Sequence, residues 1–528
     1  MNETRLERVK AQQKRIKEKS RRGLRKSIFG RTGLILALLL MQVALIFFLF
    51  FRWQYSIIAY TGSFLLSVIM SVILLNRPMD AHARQTWLIL VLLVPGFGAL
   101  LYAYIEMDVG HHLVRDRLRD IEDSTAHLNG HDEDLRRKLH REEPELDGLA
   151  DYLGGRIGFP VYANSEVKYF RTAQEKLEAL LKDLEAAEHF IFLEYFIIDR
   201  GEMWSAVLDV LTRKAAQGVD VRVLYDGTCA VFRLPYDYPE ELEALGIRCK
   251  MFSPLRPIIS TYYNNRDHRK IVVTDGKAAY TGGINLADEY MNLKQPYGEW
   301  KDAACRVTGD AVRSFTLMFL RMWNITDTET QYEPYLNAPV QPVTNAQGYV
   351  IPFADSPFEN ERVSEAVILE IVNRARRYVH IMTPYLILDE TMSRALQYAA
   401  KRGVDVKLIL PHHPDKKSAF SLAYTHYEEL IDAGVQIFEF APGFVHAKVF
   451  VSDDIKAMVG SVNLDYRSLY LHFEDAVLMW KTPEVAAVEK DFHATLMRCR
   501  SVTAETIGNV PVYRKVLGPM LKMFSPLM

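Results

Sequence analysis

Three long apolar runs open the chain, and short β-branched runs alternating with amphipathic stretches fill most of the rest. The apolar runs are Gly33–Phe51, Ser56–Leu75 and Thr86–Ile105. At ~1.5 Å per residue each is long enough to cover the ~30 Å hydrocarbon core of a bilayer, so the pattern predicts three transmembrane helices (33–51, 56–75, 86–105) in a membrane domain over 33–106. Pro95-Gly96-Phe97-Gly98 interrupts the third run, which leaves a kinked or re-entrant segment as the alternative. From about Phe159 the pattern changes. It predicts a strand entry and amphipathic helix over Val167–Leu184, a buried strand over His189–Ile198, a helix over Met203–Gln217 and a strand over Val219–Tyr225. The same series returns as a helix over Val363–Arg376, a strand over Tyr378–Leu388, a helix over Thr391–Lys401 and a strand over Val404–Leu410.

Paired phrases mark this as a duplication. Gln217-Gly218-Val219-Asp220-Val221 matches Arg402-Gly403-Val404-Asp405-Val406, and Tyr195 and Tyr385 sit in similar places on the preceding strands. The expected architecture is α/β: two lobes, at 159–337 and 355–510, each a mixed sheet flanked by helices, joined by a Pro-bearing linker over 338–354. The highly charged stretch 107–158 reads as a solvated helical connector. The tail 511–528 reads as an amphipathic helix, either on the membrane surface or packed on the domain.

Charge refines this picture. The formal net charge is −2, but the arm 1–32 carries twelve Lys or Arg against three Glu, leaving the remainder acidic. Such an arm suits the cytoplasmic face of an anionic membrane, and an acidic folded part speaks against nucleic acid as a partner. The long basic arm and the further apolar runs also argue against a cleaved signal peptide. Three full passes from an inside N-terminus place the large domain on the outer face of the membrane. The four cysteines are scattered without metal or disulfide spacing.

The chemistry lies in a stretch that occurs twice. One copy holds His268, Lys270, Asp275, Gly282-Gly283 and Asn285; the other holds His446, Lys448, Asp453, Gly460-Ser461 and Asn463. The spacing is identical in both, which marks a repeat. His and Lys two apart share one face of a strand. Asp275-Gly276 and Asp453-Asp454 signal hairpin turns, and the small residues at 282–283 and 460–461 let a ligand approach the backbone. Two imidazoles, two ammoniums and two amides suit a phosphodiester. Lys and Asn hold non-bridging oxygens, one His attacks phosphorus, and the other protonates the leaving alkoxide. The histidines need orienting carboxylates, for which Asp302 and Glu474 are the candidates, although they lie seventeen and eleven residues beyond their asparagines. The turn positions of Asp275 and Asp453 suit structure better than direct chemistry. Lys is a poor metal ligand, so no metal is expected. No nucleotide-binding loop or other cofactor motif is present. His412, His413, His426 and His472 read as surface or satisfied core residues, with the lining of the site's entrance as the alternative.

The doubled His-x-Lys-x4-Asp followed by Gly-[Gly/Ser]-x-Asn resembles the phospholipase D superfamily, and within it the bacterial cardiolipin synthases of the two-motif type. The phrases that narrow it are Asn265–Lys270, Thr281–Asn285, Gly443–Lys448, Gly460–Ser468 and the Leu-Val-Pro-Gly-Phe-Gly-Ala-Leu-Leu-Tyr of the third apolar run. The resemblance implies two phospholipase D-like lobes forming one bilobal catalytic domain in a multi-pass protein of the bacterial cell membrane. It implies His268, Lys270, Asp275, His446, Lys448 and Asp453 as the catalytic set, with a phosphohistidine formed on one His, usually the first. Asn285 and Asn463 join the lysines on phosphate. The implied reaction joins two phosphatidylglycerol molecules into cardiolipin and glycerol. Hydrolysis of membrane phospholipids to phosphatidic acid is the alternative, since only the acceptor differs. One departure is His472, where the resemblance leads one to expect Asn. The sequence sets no oligomeric state.

Overall fold

The computed structural model describes residues 57–522, other than 78, 107–108, 131, 255–263, 328–330, 339–342, 344–345, 360, 509 and 511, together with positions 40, 44, 47 and 48. The basic arm, nearly all of the first apolar run and the last six residues lie outside this set.

The second apolar run forms helix α1 (Ile57–Asn76). The third is not one helix. It divides into α2 (Ala81–Leu93) and α3 (Phe97–Glu106), which fold back on each other around Pro95-Gly96. Gly96 takes φ = 80°, and a Cβ on Gly98 would lie 2.5 Å from the Leu90 carbonyl oxygen, so only glycine permits this approach. The expected continuous span over 86–105 is thereby corrected, and with it the premise that put the large domain on the outer face. Among the described residues no helix is long and apolar enough to cross a membrane; the side chains of 57–60, at the start of α1, fall outside them.

The charged stretch that follows is more than a solvated connector. Its helices α4 (Val109–Thr125), α5 (Glu133–Glu142) and α6 (Pro144–Ala150) are amphipathic. Leu118 and Ile121 enter the core shared by the lobes, while Leu139, Leu146 and Leu149 enter that of the second lobe. Many of the charges face outward, but Arg117 and Arg119 bind the Asp327 and Phe358 carbonyls and Glu359 of the lobes, and with the buried leucines they anchor the segment to both halves.

The lobes repeat one topology. In the first, β1 (Ser165–Phe170), α7 (Ala173–Ala186), β2 (Phe190–Tyr195), α8 (Glu202–Ala216), β3 (Asp220–Asp226) and β4 (Arg248–Phe252) precede β5 (Arg266–Asp267), β6 (Lys270–Thr274), β7 (Ala278–Gly282), β8 (Glu299–Lys301) and β9 (Ala304–Gly309). Helix α9 (Val312–Trp323) closes the lobe. The sheet order is β1-β9-β7-β6-β2-β3-β4. In the second, β10 (Tyr349–Asp355), α10 (Val363–Asn373), β11 (Tyr378–Met382), α11 (Glu390–Lys401), β12 (Asp405–Pro411), α12 (Lys417–Asp432) and β13 (Gln436–Phe440) lead to β14 (Gly443–Val445), β15 (Val449–Ser452) and β16 (Lys456–Gly460). Helix α13 (Tyr466–Tyr470), β17 (His472–Trp480), α14 (Glu484–Leu496) and β18 (Cys499–Ser501) follow. Its order is β10-β17-β16-β15-β11-β12-β13-β18, the same path with one added edge strand. The central strands β2 and β3 pair in parallel, as do β11 and β12, and both are buried on both faces, which explains their unbroken apolar sequence. Strand β11 stops at Met382, short of the expected Leu388. Pro384 lacks a ladder donor, and the apolar residues beyond it fold into a buried loop.

The helices α9 and α14 pack into the core that both sheets share. Two short parallel pairs also cross between the lobes: β14 with β8, and β5 with β17. Helix α15 (Val512–Lys522), the described part of the tail, packs on α12, with Gly518 so close that a Cβ would meet the Ser421 carbonyl oxygen at 2.9 Å.

Candidate active site

Each crossing pair ends on a motif histidine. The His268 N–H donates to the Phe473 carbonyl (2.9 Å), and the His446 N–H donates to the Lys301 carbonyl (2.7 Å). The neighbouring residue in each partner strand is a carboxylate. The orientation is therefore crossed: Glu474 of the second lobe accepts from Nδ1 of His268 at 2.9 and 3.0 Å, and Asp302 of the first accepts from Nδ1 of His446 at 2.7 Å. Their unequal sequence offsets reflect loop length alone. Gly282 pairs with Ala304 and Gly460 with Ala476, so each carboxylate lies two residues before equivalent partners, and the first lobe inserts β8 between.

Strand geometry places Lys270 and Lys448 beside their histidines, as the spacing requires. Each Nζ donates to the carbonyl of the histidine two residues back. Arg269, on the opposite face, pairs with Glu194 at 2.8 Å and Asp267 at 3.3 Å. The repeat differs at its small residues. A Cβ on Gly283 would lie 2.1 Å from Oδ1 of Asp302, so glycine admits that carboxylate, whereas Ser461 donates from its Oγ to Glu474.

Burial governs the electrostatics. It pushes the His268 imidazole well below its usual range, with the Lys270 and Lys448 ammoniums adding to the shift. It brings His446 down to about 4, again with help from Lys448. Lys270 falls to about 8 and Lys448 to about 7 for the same reason, opposed by the carboxylates around them. Neutral imidazoles with Nδ1–H given to a carboxylate present a bare Nε2 lone pair, the form that attacks phosphorus or takes a proton. Nδ1 of His446 also lies 2.9 Å from Nζ of Lys448. One nitrogen cannot both donate and accept, and the shorter, charge-assisted contact to Asp302 takes the proton.

The remaining predicted residues divide. Asn285 is buried and engaged: its Oδ1 accepts from the Ile197 N–H (2.9 Å), and its amide donates to the Tyr290 hydroxyl (2.6 Å). Asn463 is buried, and among the described residues its Oδ1 has no hydrogen-bond partner. Asp275 and Asp453 stand at the far ends of β6 and β15, about 16 Å along the strand from the lysines. Both adopt positive φ (49° and 60°) in the hairpin turns. Asp275 accepts from the N–H groups of Glu188, His189 and Phe190, and Asp453 from those of Arg376, Arg377 and Tyr378, all within 3.0 Å. These contacts tie each turn to the start of the neighbouring strand, the structural role that their turn positions suggest, and set both aspartates apart from the lysines of the catalytic set.

Sequence reasoning missed three groups at the site, two of them buried and one, His472, partly so. His472, expected as surface or core, stands beside His268 with ring centroids 5.5 Å apart; its Nδ1 lies 3.8 Å from Glu474, and among the described residues neither ring nitrogen makes a hydrogen bond. Burial holds it down to about 3. Only its departure from the asparagine of the resemblance pointed to it. Asp475 accepts from Thr281 and from the Lys270 N–H (3.3 Å). Lys176 is wholly buried under the first motif, donating to the Ile284 carbonyl at 3.0 Å; a lysine in an amphipathic helix gives no sign of this. Among the described residues two groups bring metal-ligating atoms together, His268–His472–Glu474 and His380–Glu489–His493. A cation in the first would occupy the histidine the chemistry needs.

Both lobes resemble known proteins. A family model described as "Cardiolipin synthase, PLD-like domain" matches residues 180–323 and 368–496, the two lobes. A cardiolipin synthase of Alkalihalophilus pseudofirmus is 31% identical over 88% of this chain and 93% of its own. A cardiolipin synthase 2 of Bacillus anthracis is 32% identical over 84% and 86%. An uncharacterized protein of Streptococcus mutans is 48% identical over 86% and 98%. Among solved structures, a phosphatidylserine synthase of Haemophilus influenzae superposes with a TM-score of 0.53 at 16% identity, covering 70% of this chain and 95% of its own, a likeness of fold.

Proposed function

The chain belongs to the cardiolipin synthase family of PLD-like proteins, and from that premise we propose that it transfers a phosphatidyl group from one phosphatidylglycerol to another. The products are cardiolipin and glycerol. The observation that carries this reading is the crossed pair of His–carboxylate contacts, which offers two basic Nε2 atoms in one site. Nε2 of one histidine attacks phosphorus and forms a phosphatidyl-histidine, while the glycerol oxygen leaves with a proton from the other. Both imidazoles are neutral in the empty site. The phosphodiester brings the negative charge that raises the proton affinity of the second and fits it as the acid. A hydroxyl of the second phosphatidylglycerol then gives its proton back to that histidine and displaces the first at phosphorus. Diester is exchanged for diester, so no nucleotide or other cofactor enters the balance. Lys270 and Lys448 stabilise the charge on the non-bridging oxygens in the five-coordinate transition state, joined by Asn463 and, through its remaining N–H, Asn285.

Residues 33–106 serve as the membrane domain that keeps the enzyme where its lipids are concentrated. The test is purified protein in phosphatidylglycerol micelles, with cardiolipin and glycerol measured in equal amounts. Phosphatidic acid as the sole product would make the chain a hydrolase, and no turnover of phospholipid would end the reading.

A further inference from the structure

The three helices that precede the connector form a peg with a charged base and an uncharged shaft. No Asp, Glu, Lys or Arg occurs from 53 to 76 or from 85 to 105, whereas Arg77, Asp80, Arg84 and Glu106 all fall at the turns outside these stretches. The structure gathers them at one end. Arg77 pairs with Glu106 (2.5 Å) and donates to the Tyr102 hydroxyl (3.1 Å), and Arg84 donates to the Arg77 and Met79 carbonyls. The end of α1, the start of α2 and the end of α3 therefore meet at one level. At the other end, Gly96 at the hairpin tip donates its N–H to Oγ of Ser67 at 2.9 Å, inside the packed cluster. Ser67 lies nine residues before Asn76 on α1, so the tip reaches about 14 Å from the base. That is about half of the ~30 Å hydrocarbon core. The Trp87 and Tyr102 rings, 5.1 Å apart, lock the lower part of the hairpin. The outer faces remain apolar and exposed: Leu92, Leu93 and Leu100 on the hairpin, Phe64, Leu65 and Ile69 on α1.

The base is also the docking point of the catalytic domain. The Tyr466 hydroxyl donates to Oδ1 of Asp80 at 2.8 Å, and that same oxygen caps α2 through the His82 and Ala83 N–H groups. Tyr466 lies three residues beyond Asn463. The segment that carries the second motif thus sits at the level where the peg turns from uncharged to charged.

We propose that α2 and α3 form a re-entrant hairpin that enters one leaflet, among its acyl chains, from the side of the catalytic domain and returns to that side. The base then lies in the headgroup layer and sets the second motif's loop at the height of the substrate phosphates. An apolar hairpin of 13 and 10 residues is too short to cross, and its two backbone ends are satisfied within the helices and by Ser67. Arg77 and Arg84 at the base assign this side to the cytoplasm. The inference rests on the lipid substrate of the preceding section and adds the topology.

Full-length protein with Cys499 replaced by Ser, its other native thiols being buried, takes single cysteines at Leu93 near the tip, Gln85 near the base and Glu133 in the connector. In bacterial membranes an impermeant thiol reagent should label Glu133→Cys in inside-out vesicles only and Leu93→Cys from neither side. A bimane on Leu93→Cys should be quenched most by deep spin-labelled lipids, and one on Gln85→Cys by shallow ones. Labelling of Leu93→Cys from the periplasmic side means a full pass and overturns the hairpin. Free labelling from the cytoplasmic side without lipid quenching means a hairpin outside the bilayer and overturns it equally. Labelling of Glu133→Cys from outside overturns the sidedness. Cardiolipin formation is measured on the same samples. A failed label pattern with intact transfer sinks only this inference, and a correct pattern without transfer sinks only the proposed reaction.

Discussion

The two lobes share a strand order and a register, yet they do not share their chemistry. In the first, Gly283 makes room for Asp302, and the asparagine is spent on Ile197 and Tyr290. In the second, Ser461 binds Glu474, the asparagine oxygen has no hydrogen-bond partner among the described residues, and a third histidine stands beside His268. Duplication preserved the backbone because each lobe's strand completes a pair with the other lobe. It released the side chains around each histidine, because one carboxylate can be held by a small residue or by a hydroxyl. Neither copy is a site alone, since each histidine is oriented by the opposite lobe.

The largest expected effect tests whether the copies are equal partners. His268→Ala and His446→Ala should each remove phosphatidyl transfer, by about 10⁴-fold or more; a fully active single mutant would refute the paired scheme. Next come the crossed carboxylates. Glu474→Gln and Asp302→Asn keep shape but offer the wrong hydrogen-bond partner, and kcat should fall by about 10²- to 10⁴-fold. If the orientation is crossed, Glu474→Gln should combine with His268→Ala without further loss, as kinetics of the double mutant would show.

The lysines give the third test. Burial sets Lys448 near 7 and Lys270 near 8 in the free protein. As pH rises through these values the ammoniums lose the charge that holds phosphate, and kcat/KM should fall about tenfold per unit once one proton is lost, more when both are. Stability should move the other way. Folded pKa values below the unfolded ~10.5 mean that the unfolded chain holds more protons over this window, so stability rises with pH there. Activity and stability falling together would contradict the assignment.

Two smaller contrasts separate the lobes. Gly283→Ala pushes a Cβ into the place of the Asp302 carboxylate, 2.1 Å away, whereas Ser461→Ala adds no volume and removes only the hydroxyl's bonds to Glu474 and to the Asp475 backbone. The first should cost about 10²-fold in kcat and the second about tenfold; equal losses would mean the two positions do the same work. Asp275→Ala and Asp453→Ala should leave kcat close to that of the parent while lowering stability by about 2 kcal/mol each through lost backbone hydrogen bonds. Thermal melts beside the transfer assay separate these effects, and a large loss of kcat in a well-folded variant would return the aspartates to the chemistry.

The sequence by itself determined the duplication and which motif residues share a strand face, His268 with Lys270 and His446 with Lys448, because strand periodicity fixes that. It did not fix the linker, whose expected range 338–354 takes in most of β10 (Tyr349–Asp355), the edge strand of the second sheet. It also marked Asp275 and Asp453 as turn residues and named both orienting carboxylates. Only the tertiary structure decided which carboxylate serves which histidine, since that pairing runs between strands some 140 to 200 residues apart and no local pattern encodes it. It likewise decided that Asn285 is already engaged, that His472 stands beside His268 and that Lys176 lies beneath the first motif. Hydrophobicity along the third apolar run measured how much chain avoids water. Whether that chain crosses or turns back depended on a glycine that lets two helices touch and on a serine that meets the hairpin tip, contacts made only when the helices pack.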